Sequence, residues 1–192
     1  MKKNELYRGF EQGPIRPPSE SGSLLIRVTR NCPWNRCTFC SLYKNATFSL
    51  RPISQVLKDI DLIRRYVEKI KSGGTMYPQT RANEEMAFHA ALTWVRNGMK
   101  SVFLQDSNSL IMKPDDLVTI LQCLTDTFPE IERLTSYARS HTIARINDQD
   151  LDRMAAAGQN ESMLAWNQHP TRCCHWSKRA RTRPCTFVPA VK

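Results

Sequence analysis

The stretch Leu24-Leu25-Ile26-Arg27-Val28-Thr29-Arg30-Asn31-Cys32-Pro33-Trp34-Asn35-Arg36-Cys37-Thr38-Phe39-Cys40 decides how this chain reads. Its opening, Leu24 to Thr29, is a short apolar, β-favouring run that predicts a strand. Three thiols follow directly, at Cys32, Cys37 and Cys40. Thiolates are the usual ligands of iron–sulfur clusters and soft metals. Three of them can hold three irons of a four-iron cluster and leave the last iron open to a ligand, as catalytic zinc sites keep a position that structural ones close. A single zinc ion is the alternative. It wants a closed tetrahedron of ligands, and the next histidine along the chain is His89.

Outward from the loop, helical and extended patterns alternate. Residues 1–22 hold Gly13, Pro14, Pro17, Pro18 and Gly22 with no period, an irregular lead-in. Ser54 suits the cap of a helix in which Val56, Ile60, Ile63, Val67 and Ile70 recur at three- and four-residue steps, closed by Ser72-Gly73-Gly74. A second helix is expected from about Asn83 to Val95. Strands are expected at Ser101–Leu104 and Leu134–Tyr137, the first running into a polar loop, Gln105 to Ser109. Between them Pro114, Asp115 and Asp116 start a helix that runs to about Phe128. A last helix spans Asp148 to Ala157 and stops at Gly158. Such alternation predicts an α/β fold with a mostly parallel sheet.

The run from Leu25 through Cys40 resembles the first strand and cluster loop of the radical S-adenosylmethionine (SAM) superfamily, and the resemblance extends over residues 24–158. It implies an incomplete (β/α)6 partial TIM barrel. It also implies a [4Fe–4S] cluster on Cys32, Cys37 and Cys40, with SAM chelated at the open iron. In that family, reductive cleavage of SAM gives methionine and a 5′-deoxyadenosyl radical, which takes a hydrogen atom from a substrate this sequence does not name. A reductant such as flavodoxin or ferredoxin is the implied partner. Phe39, just before the last thiol, would lie against the adenine. Asp106 stands where the family often has a Gly-Gly-Glu-type motif for the SAM amine, although it also reads as a solvated turn acid. Arg139, past the third strand, could offer its paired donors to the SAM carboxylate or ribose, as could Tyr137. Arg30 and Arg36 flank the thiols, as cluster counter-charges or as plain surface charge. Four residues separate Cys32 from Cys37 where three is usual, which bears on the subgroup more than on the chemistry.

Bulk composition narrows the field. With 41% hydrophobic and 24% charged residues in 192, the chain reads as globular rather than disordered. No apolar stretch approaches the roughly 20 residues that span a bilayer, and no secretory signal is recognisable. A cytoplasmic protein with reduced cysteines and no membrane partner is expected. Cys123, between Leu121 and Leu124, reads as a buried apolar cysteine. Half of the net charge of +10 lies in residues 159–192. With Cys173, Cys174, His175 and Cys185, that tail gives the rival reading, a non-catalytic zinc module contacting RNA; under the resemblance nucleic acid is not an expected partner.

After Gly158 the periodicity vanishes. Back-translated and read from the third base of each codon, Met163 to Gln168 permits Val-Gly-Leu-Glu-Ser, the kind of string that family carries on its fourth strand. Residues 159–192 are therefore expected to be out-of-frame and disordered. The core at 23–158 would then be truncated and inactive, with its third strand left as an unpaired edge.

Overall fold

The computed structural model describes residues 6–38, 40–73, 82–165 and 174–177, with backbone alone for 82–83, 160–165 and 174–177. The predicted strand after the lead-in is β1, Leu24–Arg27, followed at once by a two-residue strand β2, Thr29–Arg30. After the cysteine loop come β3, Ser49–Leu50, and helix α1, Ile53–Lys71. The chain then continues through α2 (Ala82–Arg96), β4 (Ser101–Gln105), α3 (Pro114–Thr127), β5 (Arg133–Arg139), α4 (Ser140–Ile143), α5 (Asp148–Ala156), β6 (Gln159–Ala165) and β7 (Cys174–Ser177).

The main sheet has the order β1-β4-β5-β6-β7, the first four strands parallel and β7 antiparallel to β6. Alternate strand residues Leu24, Ile26, Val102, Leu104, Leu134 and Ala138 join one core with the apolar stripes of α1, α2, α3 and α5. A period of two on the strands thus meets a period of 3.6 on the helices, on one face of the sheet. Trp94 of α2 anchors this layer: it is fully buried, its ring meets Phe128 edge-on at 4.9 Å, and its Nε1 donates to the Ser101 carbonyl at 2.8 Å. The architecture is α/β, with parallel strands laid down in chain order and helices against one face.

Two expectations are corrected. α1 starts at Ile53 after Pro52, so Ser54 lies inside its first turn rather than at its cap. The stretch after Gly158 was expected to be disordered; instead β6 pairs in parallel with β5 from Leu134↔Gln159 to Arg139↔Ala165, so β5 is not an edge. Gly158 makes the turn into β6 at φ +109°, a conformation that disfavours any residue with a Cβ; such an atom would also meet Thr125 Cγ2 at 2.8 Å. Cys174 and His175, offered as tail ligands, fall on β7, while Cys173 and Cys185 lie outside the described residues.

Candidate functional site: the cysteine loop and the strand ends beneath it

Parallel strands deliver their loops to one edge, and ligand sites of such sheets gather at the carboxyl ends. Here β1 ends at Arg27 opposite Gln105, the last residue of β4, and β5 ends at Arg139. The loop that carries Cys32, Cys37 and Cys40 leaves β2 and returns through β3, which pairs antiparallel with it: Thr29 opposite Leu50, Arg30 opposite Ser49. That pairing closes the neck of the loop. Three asparagines shape its body, Asn31, Asn35 and Asn45, all left-handed at φ 65°, 45° and 64°; asparagine tolerates this region better than most residues. Asn31 Nδ2 donates to the Thr47 carbonyl, and Asn35 Nδ2 to the Tyr43 carbonyl. Lys44 Nζ donates to the carbonyls of Asn35 and Cys37. The backbone N–H of Asn35 donates to Cys32 Sγ, 3.4 Å away.

Asp106 fastens this loop to the sheet. It has no exposed surface, and its carboxylate accepts from four donors. Arg27 gives Nε at 2.9 Å and Nη2 at 2.7 Å, the backbone N–H of Asn31 lies at 3.0 Å, and the Tyr43 hydroxyl at 2.8 Å. Asn31 and Tyr43 bracket the three cysteines, so one buried carboxylate clamps both ends of the segment. Burial, then the hydrogen bond and charge of Asp106, push the Tyr43 hydroxyl's pKa well above the usual tyrosine range, which keeps it a donor. Asp106 was expected to meet SAM; the structure places it beneath the loop, with its oxygens already engaged. The residues after it extend the clamp: Ser107 Oγ donates to the Asn31 carbonyl, and Asn108 Oδ1 accepts from the Arg139 backbone N–H at 3.1 Å.

The lead-in proves to be the other half of the support. Gly13 donates its N–H to Gln105 Oε1 at 2.7 Å and accepts from Gln105 Nε2 at 3.1 Å. A Cβ at Gly13 would lie 2.1 Å from Asp106 Oδ1, so only glycine lets this backbone pass. Glu11 draws three guanidiniums together: Arg30 Nη2 at 2.7 Å, Arg51 Nε at 2.7 Å and Arg27 Nη1 at 3.3 Å. Arg51, itself wholly buried, also pairs with buried Asp59 at 2.6 Å and donates to the Arg27 carbonyl at 2.8 Å. Tyr7 completes the chain of contacts with a hydroxyl to Asp59 at 2.8 Å. Burial pushes the Asp59 carboxyl upward against the pull of Arg51.

Burial also acts upward on Glu11, but the Arg30 hydrogen bond and the charges of Arg51, Arg30 and Arg27 outweigh it and hold the carboxyl below the usual range. A lowered acid pKa contributes stability above the ordinary carboxylate value, and that contribution disappears as pH falls through the folded value. Glu11→Gln should therefore lower the urea midpoint by a constant amount above about pH 5, and the difference from the parent should shrink below about pH 4.3. A pH-independent difference would refute the assignment.

Of the residues singled out from sequence, Cys32, Cys37 and Cys40 share the loop, each thiol half-buried, and Arg139 reaches the same place from β5. Its guanidinium carbon sits 4.5 Å from the centre of the Trp34 ring, between Cys32 and Cys37 in the chain, and that of Arg36 sits 5.6 Å away. Tyr137 lies further down β5, its ring edge-on to Phe103 at 5.2 Å. Phe39 lies outside the described residues. Glu11, Gly13, Arg27, Asn31, Tyr43 and Trp34 were missed by sequence reasoning. Trp34 alone carried a signal, an aromatic between two of the three candidate cysteines.

The donor set is that of a soft metal or cluster: three thiols, an amide N–H on one sulfur, and cationic neighbours. Among the described residues, no three His, Cys, Asp or Glu side chains gather as a group that could hold one metal ion. Three thiols are donors that suit either a cluster or a soft metal ion. Two cavities lie elsewhere, one beside Tyr7, Lys58 and Arg65, the other between α3 and α5. No helix among the described residues is long and apolar enough to cross a membrane. No family model, curated protein or solved structure matches this chain.

Proposed function

We propose that this chain is a radical SAM protein in which Cys32, Cys37 and Cys40 hold a [4Fe–4S] cluster beside a SAM site at the carboxyl edge of the sheet. The observation that carries the reading is the clamp: a loop with three thiols, pinned at Asn31 and Tyr43 by the buried carboxylate of Asp106. A loop meant only to connect β2 to α1 needs no buried carboxylate under it. Strands laid down in chain order with helices on one face support the partial-barrel form, because doubly wound sheets reverse strand order and carry helices on both faces.

When bound, the cluster would supply an electron to SAM and an open iron to hold it. The chain's own residues do the rest. Asp106, Asn31 and Tyr43 fix the loop's position, and the Asn35 N–H orients the Cys32 sulfur. Arg139 and Arg36 supply positive charge next to an anionic centre.

Anaerobic reconstitution with iron and sulfide tests the reading. The parent should turn brown and hold about four irons and four sulfides per chain, as a [4Fe–4S] cluster requires. Cys37→Ala should lose most of that iron while keeping the parent's circular dichroism. A colourless protein that takes up one zinc and no sulfide would overturn the proposal.

A further inference from the structure

Acidic residues are absent from residues 21–58, which carry Arg27, Arg30, Arg36, Lys44, Arg51 and Lys58, and absent again from 133–147, which carry Arg133, Arg139 and Arg145. Four of these nine charges are neutralised from outside. Glu11, Asp59 and Asp106 take Arg27, Arg30 and Arg51, and Glu20 takes Arg133 at the far edge of the sheet. Arg36 and Arg139 are not among them, and they differ from the other unpaired cations in sharing one aromatic ring. Among the described residues neither guanidinium has a carboxylate at ion-pair distance; both lie against the ring of Trp34 instead. That indole is 41% exposed at the carboxyl edge of the sheet, where a large apolar ring ordinarily would be covered.

We infer that Trp34, Arg36 and Arg139 form a binding platform for single-stranded nucleic acid. Two planar cations against an exposed indole offer stacking surface and phosphate-binding donors together, the combination that single-strand binders use. Carboxylates alone would satisfy the two guanidiniums without covering the indole, because they lack an extended apolar face to stack on it. A nucleobase covers the ring while its neighbouring phosphates meet the guanidinium edges. A rigid duplex keeps its bases stacked inside and cannot offer one to the indole. The platform needs no metal and stands whether or not the thiols hold a cluster. It departs from the expectation drawn from resemblance, under which nucleic acid was set aside.

The test is fluorescence anisotropy of a short labelled oligouridylate with the full chain, without added iron, over a range of salt. The parent should bind the single strand, and more weakly a duplex of the same length. Trp34→Ala should weaken single-strand binding about tenfold, and Trp34→Phe should keep it within about threefold of the parent. Arg36→Gln with Arg139→Gln should reduce the slope of log affinity on log salt by about 1.4, the share of two phosphates on a single strand. Arg64→Gln, an exposed arginine on α1, controls for net charge and should change little. Binding that ignores Trp34→Ala would overturn the proposal and assign any affinity to diffuse charge. Displacement of the oligonucleotide by polyglutamate as readily as by unlabelled oligouridylate, with Trp34→Ala silent, would overturn it in favour of an acidic protein partner.

Discussion

Asp106→Ala should destabilise the fold by about 3 kcal/mol and, separately, strip most of the iron from the reconstituted protein. The stability loss follows from what the carboxylate leaves behind. Arg27, only 13% exposed, would lose its closer carboxylate and keep Glu11 at 3.3 Å. Removing one member of a buried pair costs about 3–5 kcal/mol because the other charge stays buried, and the remaining Glu11 contact places this case at the low end. Tyr43, itself buried, would also lose its acceptor. The iron loss has another origin. Without the carboxylate, Asn31 and Tyr43 lose their shared anchor in the sheet and the loop keeps only its internal contacts, so the thiols lose a fixed frame. Asp106→Asn keeps the shape and an acceptor oxygen but not the charge, and should fall between parent and alanine on both measurements. Urea unfolding and iron analysis on the same preparations decide it. A variant that loses 3 kcal/mol yet retains full iron would show that Asp106 supports the sheet alone.

Asp59→Ala is the second large effect, again about 3 kcal/mol by urea unfolding. Arg51 has no exposed surface and lies 2.6 Å from Asp59, so the single change strands a guanidinium in the core with Glu11 as its remaining carboxylate. Replacing both partners, Asp59→Leu with Arg51→Met, removes the buried charge as well as its mate. The double variant should be more stable than the sum of the two single losses by about 1 kcal/mol or more. Strict additivity would show that the two side chains do not depend on each other. Iron uptake should suffer less than in Asp106→Ala, because Arg51 acts on the loop only through the Arg27 carbonyl and Glu11.

Local pattern made much of the architecture legible. The stripe Val56, Ile60, Ile63, Val67 became α1, and Pro114 with its two aspartates opens α3 at the expected residue. Ser101–Leu104 and Leu134–Tyr137 became the cores of β4 and β5. What escaped was set by partners distant in the chain. Gln159-Asn160-Glu161-Ser162 has little β preference of its own, yet the free edge of β5 recruits it into a ladder. The lead-in has no period to read, because its grip comes from single contacts of Tyr7, Glu11 and Gly13. The spacing of the three cysteines was legible because it is local. The clamp was not: Asp106 sits 75 positions from Asn31 and 63 from Tyr43, and nothing around it in sequence names either.

The span between Gly13 and Gln105 also sets an order of assembly. Ninety-two positions separate the two, so the contact closes a long loop whose entropy must be met before the contact gives anything back. During synthesis the lead-in leaves the ribosome first, but its docking surface does not exist until β4 has been made and paired with β1. Asp106 arrives with β4 as well. Until then the cysteine segment lacks its anchor in the sheet, and its thiols face solvent and oxidants in a nascent chain. The interval between making the thiols and making their clamp is therefore when they are most open to oxidation.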